Sequence, residues 1–197
     1  MTQRREPEIL APAALVRQNG RLNPEAIGWA TQPIIDTTML GAGRSRNKRW
    51  EYWNVMTPTH ILALTVASID FACVHEVWVY ERATGREWAK NATVIPPRGA
   101  KLSPRLERGS SSARAKGLSI DIDEVMGGTR LRAAIEGVSF DVVAELPDEH
   151  ERLALVVPWS GSRFQYTVKD VARPASGVLR IEGTGGADSD SSMEIEL

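Results

Sequence analysis

Alternation of apolar and polar side chains with a period of two is the feature of this sequence that most constrains its fold. It is clearest in KGLSIDIDEV, where Leu118, Ile120 and Ile122 alternate with polar residues, among them Asp121 and Asp123. Successive side chains of a strand point to opposite faces, so this spacing predicts a strand with one buried face and one solvated face. The two aspartates are interpreted as part of the solvated face, with a carboxylate pair for acid–base chemistry as the alternative.

The same period recurs between turn sequences along most of the chain. It predicts strands in RWEYWNVM, HILALTVASID, CVHEVWVYE, REWAKNATVI, TRLRAAIE, VSFDVVAEL, RLALVVPW, RFQYTVKDVA and GVLRIEG. HILALTVASID is apolar on both of its faces, which predicts a central strand covered from both sides. The sequence RATG predicts a hairpin turn that Gly85 closes in a left-handed conformation.

Nine or ten strands and no convincing long helix predict an all-β fold. We expect an antiparallel up-and-down meander that forms a barrel, a partial barrel or a sandwich. Residues 1–43, which contain four prolines, are expected to be an irregular segment that packs on the sheet, and residues 44–183 the β domain. IPPRGAKLSPRLERGSSSARA is predicted to be a long polar loop. Residues 184–197 are acidic and poor in apolar side chains, which predicts a disordered tail.

Composition excludes several classes of protein. With 42% hydrophobic and 25% charged residues the chain is ordinary for a globular domain, and its net charge of −1 provides no field to attract a polyanion. The N-terminus lacks the apolar region of a signal peptide, and the longest apolar run is too short and too polar to span a bilayer. A single cysteine, Cys73, excludes an internal disulfide and is expected in the core. We expect a cytoplasmic protein, and no cofactor is implied.

The stretch RSRNKRWEYWN, residues 44–54, combines four cations with three aromatic rings. In a strand that starts at Arg49, Trp50 and Tyr52 share one face, while Glu51 and Trp53 share the other. The cations precede the rings and do not interleave with them, which argues against a groove for single-stranded nucleic acid. The favoured interpretation is the rim and first strand of a sheet. The alternative is an anion site at the mouth of a ligand cavity, formed by Arg46, Lys48 and Arg49.

The sequence contains no motif for a metal site or for a nucleophilic serine. The three histidines are His60, His75 and His150, and the HE pair at His75 lacks the second histidine of the metalloprotease motif. No metal site is predicted. The serine cluster in RGSSSARAK lacks the G-x-S-x-G elbow of a serine hydrolase.

Three long stretches resemble a known family. They are NGRLNPEAIGWATQP, RNKRWEYWNVMTPTHILALTVASIDFA and VPWSGSRFQYTVKDVARPASG, and they resemble the bacterial family known as domain of unknown function 2804 between Asn19 and Gly183. The resemblance implies a fold distantly similar to the lipocalin-like group of hydroxyneurosporene synthase and tocopherol cyclase, which handle isoprenoids. It carries over no catalytic residues. Family members are typically longer, so the chain is expected to be truncated, and self-association is expected to supply the missing second lobe.

Three hypotheses about function remain open. The first is a non-enzymatic lipocalin-like domain that binds a small apolar molecule, a lipid or an isoprenoid. The second is an enzyme of isoprenoid or lipid hydration or cyclisation, in which Glu76 or Asp70 donates a proton, and a desolvated acid in the cavity would distinguish it. The third is an inactive truncated remnant. The predicted cavity liners are Trp50, Trp53, Trp78, Trp88 and Tyr166.

Overall fold

The computed structural model describes residues 6–41, 47–106 and 108–182, together with the backbone of residues 190–196. These residues form sixteen strands and two short 3₁₀ turns, at Pro24–Ala26 and Thr38–Gly41, so the predicted all-β class is confirmed. The strands, in chain order, are β1 (Ala13–Ala14), β2 (Gly28–Ala30), β3 (Ile35–Asp36), β4 (Arg49–Met56), β5 (His60–Ser68), β6 (Cys73–Glu81), β7 (Glu87–Val94), β8 (Ala100–Lys101), β9 (Ser110–Ala115), β10 (Leu118–Val125), β11 (Gly128–Ile135), β12 (Val138–Glu145), β13 (Leu153–Ser160), β14 (Arg163–Lys169), β15 (Ala175–Glu182) and β16 (Asp190–Glu196).

The strand count exceeds the nine or ten predicted. Strands β1, β2, β3 and β8 contain only two or three residues each, too few for a period of two to be recognised. Strand β9 lies in the segment that was predicted to be a polar loop. Small serines and alanines occupy both of its faces, so no apolar alternation indicated a strand there. Strand β16 lies in the segment for which disorder was predicted, and it pairs antiparallel with β15. Its sequence, DSSMEIE, places Met193 and Ile195 at alternate positions.

By their contacts the described residues divide into two units, and the first contains residues 6–41, 104–106 and 148–172. Its three-stranded sheet has the order β14-β13-β2 and is antiparallel, while β1 and β3 pair in parallel. Its small core contains Leu15, Leu22, Ile35 and Val156 with their neighbours. The predicted boundaries at residues 43 and 183 stay predictions.

The second unit is a sandwich of two antiparallel sheets, which do not close into a barrel. One sheet has four strands in the order β4-β5-β6-β7, and the other has seven in the order β16-β15-β12-β11-β10-β9-β8. Most neighbouring strands are consecutive in the chain, as a meander requires. Strand β5 lies between β4 and β6, as predicted, and one of its faces packs against the seven-stranded sheet. The predicted cover on its second face stays a prediction. Gly85 closes the β6–β7 hairpin with φ 74°, which also confirms the prediction.

The core of the sandwich lies between the two sheets. Leu118, Ile120 and Ile122 are 4%, 0% and 2% exposed, so the alternation in β10 identified the buried face correctly. They pack against inward-facing residues of the four-stranded sheet, such as Leu64 and Val77. Burying such aliphatic side chains contributes about 1.5–3 kcal/mol each, which makes this core the main source of stability of the unit. Within the described residues, no helix is long and apolar enough to cross a membrane.

Candidate functional site

The five predicted cavity liners occupy three separate environments. Trp50 and Trp78 lie on the outer face of the four-stranded sheet, the face directed away from the sandwich core. Trp88 is 9% exposed and belongs to the core, and Trp53 packs against the same core from β4. Tyr166 lies in the first unit, where it packs against Val156 and its neighbours. The structure therefore places Trp50 and Trp78 on one surface. Trp53, Trp88 and Tyr166 do not lie on that surface.

The predicted basic residues do not form a cluster around a ligand in the part of the chain that is described. Arg46 lies outside the described residues, and Lys48 is exposed just before β4. Arg49 faces inward, and its guanidinium donates a hydrogen bond to the carbonyl of Ser103. Burial lowers the pKa of Arg49, and the charge of Glu51 opposes that shift. Arg49 thus connects β4 to the segment after β8.

The two predicted proton donors are solvent-exposed. Glu76 lies on the outer face of β6, opposite Thr65 of β5 and Asn91 of β7. Asp70 lies in the β5–β6 turn with φ 78°, a left-handed conformation that aspartate tolerates in turns. Neither residue has the desolvated environment that the hydration or cyclisation hypothesis requires.

The outer face of the four-stranded sheet is rich in exposed aromatic and apolar side chains, and we call it the aromatic face. Three residues of the edge strand β4 dominate it: Trp50, Tyr52 and Met56 are 56%, 57% and 64% exposed. Trp78 and Tyr80 of β6 lie on the same face. The aromatic face consists of Trp50, Tyr52, Asn54, Met56, Ile61, Ala63, Thr65, Ala67, Val74, Glu76, Trp78, Tyr80, Glu87, Ala89, Asn91 and Thr93.

A shallow trough runs along β5 in the middle of the aromatic face. Small side chains form its floor, and Ala63 and Ala67 are only 9% and 8% exposed. The larger side chains of β4 and β6 therefore rise on both sides and shield the floor. Neighbouring strands lie about 4.8 Å apart, so the two walls are separated by roughly 10 Å.

Hydrogen bonds and ring stacking order the side chains on both walls of the trough. The rings of Trp78 and Tyr80 are stacked with centroids 5.7 Å apart and planes inclined by 9°. Trp78 Nε1 donates to Glu87 Oε2 at 3.2 Å, which draws this ring towards β7. On the opposite wall, Asn54 Nδ2 donates to the Tyr52 hydroxyl at 3.1 Å along β4.

The charge of the aromatic face is negative. Its charged residues are Glu76, beside the trough, and Glu87, which accepts the hydrogen bond from Trp78; no lysine or arginine is among the outward-facing residues of β4 to β7. Lys48 precedes β4 at the Trp50 end. An anionic ligand lying along the trough would therefore meet a like charge.

The outer face of the seven-stranded sheet has the opposite character. Arginine and aspartate side chains form cross-strand ion pairs, with N–O distances of 2.6 Å for Arg114–Asp121, Arg132–Asp123 and Arg130–Asp141. Asp121 and Asp123 are thus bound by arginines of neighbouring strands. This arrangement supports the solvated face that the sequence predicted for them over a catalytic pair.

A polar cluster that the sequence analysis missed lies inside one end of the sandwich. Glu124 continues the inward series of Leu118, Ile120 and Ile122, and the hydroxyl of the 1%-exposed Thr129 donates to its carboxylate at 3.3 Å. Burial raises the pKa of Glu124. The hydrogen bond from Thr129 opposes this shift, the charge of Glu51 adds to it, and the charge of Arg173 opposes it.

Trp53 and Arg173 complete this cluster. Trp53 Nε1 donates to Glu51 Oε1 at 3.0 Å, and the Arg173 guanidinium lies 5.1 Å from the centroid of the Trp53 ring. Arg173 also donates through Nε to the Glu145 carbonyl at 2.7 Å, which ties the start of β15 to the end of β12. The cluster therefore combines a partly desolvated acid, a second carboxylate, an arginine and an indole.

A signal for the polar cluster was present in the sequence. The period of two that places Ile120 and Ile122 inward places Glu124 inward as well, which would have indicated an acid at the edge of the core. Trp53 and Arg173 belong to stretches that carry the family resemblance. Their convergence with Glu124 depends on the packing of two sheets, which the period alone does not specify.

Two histidines of the second unit are buried. His75 is 0% exposed, and neither ring nitrogen meets a hydrogen-bond partner among the described residues. Burial lowers the pKa of His75, and the backbone of Val74 opposes the shift. Burial also lowers the pKa of His60, whose Nδ1 lies 3.0 Å from the Thr59 hydroxyl, and the charge of Glu81 opposes that shift. In the described ranges, no group of three or more His, Cys, Asp and Glu side chains could hold a metal ion.

In the first unit, His150 Nε2 and Asp170 Oδ1 are 2.8 Å apart, and Gln32 accepts a hydrogen bond from Arg152 at 2.6 Å. Burial raises the pKa of Tyr166 to about 12, and its hydroxyl has no partner among the described residues. This unit also has an open groove of about 520 Å³ along residues 7–13, at which Leu10 is 83% exposed. None of the predicted site residues lines this groove.

Comparison with known proteins agrees with the resemblance seen in the sequence. A family model described as domain of unknown function DUF2804 matches residues 6–193, nearly the whole chain. No curated protein and no solved structure matches the chain. The match extends on both sides of the stretches that carry the resemblance. The chain therefore belongs to the domain of unknown function 2804 family.

Proposed function

We propose that this chain is a binding domain for a small apolar molecule, a lipid or an isoprenoid-like compound, and that the aromatic face binds it. The supporting observation is the exposure of Trp50, Tyr52 and Met56, each more than half exposed, beside a trough with a floor of small side chains. A contiguous exposed apolar surface of this kind is typical of an interaction site. We place the ligand on the outside of the sandwich, because core side chains such as Trp88 pack between the sheets.

Intrinsic tryptophan fluorescence tests this proposal, because Trp50 and Trp78 flank the trough. Titration with a short polyprenyl alcohol or with dodecyl maltoside below its micelle concentration is expected to change the emission saturably. Replacing Trp50 or Met56 by alanine removes contact area and is expected to weaken binding by about three- to ten-fold. Trp50→Phe retains a ring and is expected to retain most of the affinity.

Trp159→Ala is the matched control, because Trp159 is 68% exposed but lies on β13 in the first unit. It is expected to leave the affinity unchanged. The proposal fails if none of the apolar compounds gives a saturable change, or if Trp159→Ala weakens binding as much as Trp50→Ala does.

The polar cluster favours a second candidate, the enzyme of alkene hydration or cyclisation. Here Glu124 replaces Glu76 and Asp70 as the proton donor, because Glu124 is the acid that burial keeps protonated to higher pH. In a hydration, the Glu124 proton would add to one alkene carbon, and water would add to the other and return a proton to the carboxylate. The nearby Trp53 ring could stabilise the developing cation.

Product analysis with an isoprenoid alkene tests the enzyme hypothesis. Hydration is expected to disappear in Glu124→Gln and to persist in Glu76→Gln. The rate is expected to fall as the pH rises through the raised pKa of Glu124, since the protonated form is the donor. Absence of any hydrated or cyclised product from the unaltered chain would exclude this second candidate and would leave the binding proposal intact.

A further inference from the structure

The aromatic face also carries information about the chemical class of its ligand. We propose that the trough binds a linear aliphatic chain with a cationic end, and that the cation lies over Thr65 between Tyr52 and Glu76. This inference rests on the proposed binding function and adds the shape and the charge of the ligand.

The shape follows from the residues of the trough. Its floor runs along one strand, from Thr65 through Ala63 to Ile61, and is narrow because β4 and β6 wall it on both sides. The four residue steps from Thr65 to Ile61 span about 14 Å in an antiparallel strand. A straight, flexible dodecyl chain fits such a floor, whereas a broad fused-ring compound would collide with the walls.

The position of the cation follows from one row of the sheet. Tyr52, Thr65, Glu76 and Asn91 are consecutive cross-strand partners, so Tyr52 and Glu76 flank Thr65. The hydrogen bond from Asn54 turns the Tyr52 ring along β4, on the side of Thr65 towards Ala63. An aromatic ring and a carboxylate both attract an ammonium group. Glu87, the second acid of the face, already accepts the Trp78 indole hydrogen, so Glu76 is the carboxylate available beside the trough.

The direction of the chain follows from the apolar side chains beyond this row. Towards the other end of β5, the trough is bordered by Met56 and by the Trp78–Tyr80 stack, whose rings provide apolar surface along its length. Lys48 lies near the opposite end, beyond Trp50. A cation over Thr65 with its chain directed towards Ile61 therefore avoids Lys48 and places the aliphatic part beside Met56 and the Trp78–Tyr80 stack.

Three dodecyl compounds of equal chain length test this inference: dodecyltrimethylammonium, dodecyl maltoside and dodecanoate, each below its micelle concentration. Binding is measured by tryptophan fluorescence and calorimetry at low salt, and circular dichroism verifies that the fold persists. The ammonium compound is expected to bind about five-fold more tightly than the maltoside, and dodecanoate more weakly than both. The preference is expected to decrease in high salt.

Glu76→Gln is expected to abolish the difference in affinity between the ammonium compound and the maltoside, with both affinities measured on that variant. Glu136→Gln, which removes the same charge at the exposed β11–β12 turn, is expected to leave the preference intact. Equal affinities for the three compounds, or tightest binding of dodecanoate through Lys48, would overturn the inference while the binding function stands. If none of the three binds while a short polyprenyl alcohol does, this inference fails and the binding function stands. If the polyprenyl alcohol does not bind either, the proposed function itself fails.

Discussion

The two sheets of the sandwich pack on one core, but the side chains on their outer faces differ in chemical character. The seven-stranded sheet presents arginine–aspartate pairs across neighbouring strands, and the four-stranded sheet presents tryptophan, tyrosine and methionine. A charged outer face keeps a sheet soluble and discourages association, whereas an exposed aromatic face costs free energy unless something binds it. The seven-stranded sheet packs on the same core with a charged outer face. The exposed aromatic side chains of the four-stranded sheet are therefore not required for folding, which favours a role in binding.

Residues between the sheets are expected to give the largest effects, because both faces depend on them. Leu64 is 1% exposed on the inner side of β5, and Leu64→Ala is expected to lower the free energy of unfolding by about 2–5 kcal/mol. Urea unfolding followed by circular dichroism measures this change. Leu153→Ala, at a position that is 47% exposed, serves as the control and is expected to cost much less. Equal costs at the two positions would contradict the assigned core.

His75, beneath the aromatic face, is expected to make stability depend on pH. Its pKa is lowered by burial in the folded state, so below about pH 6.5 the unfolded chain binds a proton that the folded chain does not. The contribution of neutral His75 to the free energy of unfolding is therefore fully present above about pH 6.5. It is lost as the pH falls towards the lowered pKa. His75→Leu removes an unpartnered polar group and is expected to raise the free energy of unfolding by about 1 kcal/mol.

Urea unfolding between pH 7.5 and 5 measures both effects. The His75→Leu variant is expected to lose less stability on acidification than the unaltered chain does, and His60 accounts for part of the remaining loss because its pKa is lowered in the same direction. A variant that is strongly destabilised at neutral pH would show that the imidazole has a hydrogen-bond partner after all.

Matched substitutions on the two outer faces are expected to give the smallest effects on stability and the clearest difference in function. Asp123→Ala breaks an exposed ion pair with Arg132 and is expected to cost about 0.5 kcal/mol, less in high salt. Tyr52→Ala on the aromatic face is expected to cost a similarly small amount. Only Tyr52→Ala is expected to weaken binding of an apolar compound. Equal binding by both variants would remove the functional distinction between the faces.

Much of the second unit could be predicted from the sequence, because its strands are long and alternate regularly. The period of two identified β10 and its buried residues, and the continuous apolar run identified β5 as central. It could not identify β9, where serine and alanine occupy both faces, or the two- and three-residue strands, whose pairing depends on distant segments. These elements are determined by tertiary contacts that local alternation does not encode.

The candidate site was predictable only in part, for a related reason. Alternation placed Trp50 and Tyr52 on one face of β4, and the structure has them there. Their relation to Trp78 depends on the register of three strands, and the direction of the face depends on which side the second sheet covers. For this reason Trp53 and Trp88, predicted to line one cavity with Trp50, lie on the opposite side of the same sheet.

Photolabelling tests the central claim most directly. A dodecyl probe that carries a diazirine on its chain is irradiated with the intact protein, and the modified residues are located by peptide mass spectrometry. The account predicts modification within β4, β5 and β6, concentrated near Tyr52, Met56 and Trp78, with competition by unlabelled dodecyl maltoside. Modification concentrated on β10 to β12, or along the groove at residues 7–13, would contradict it.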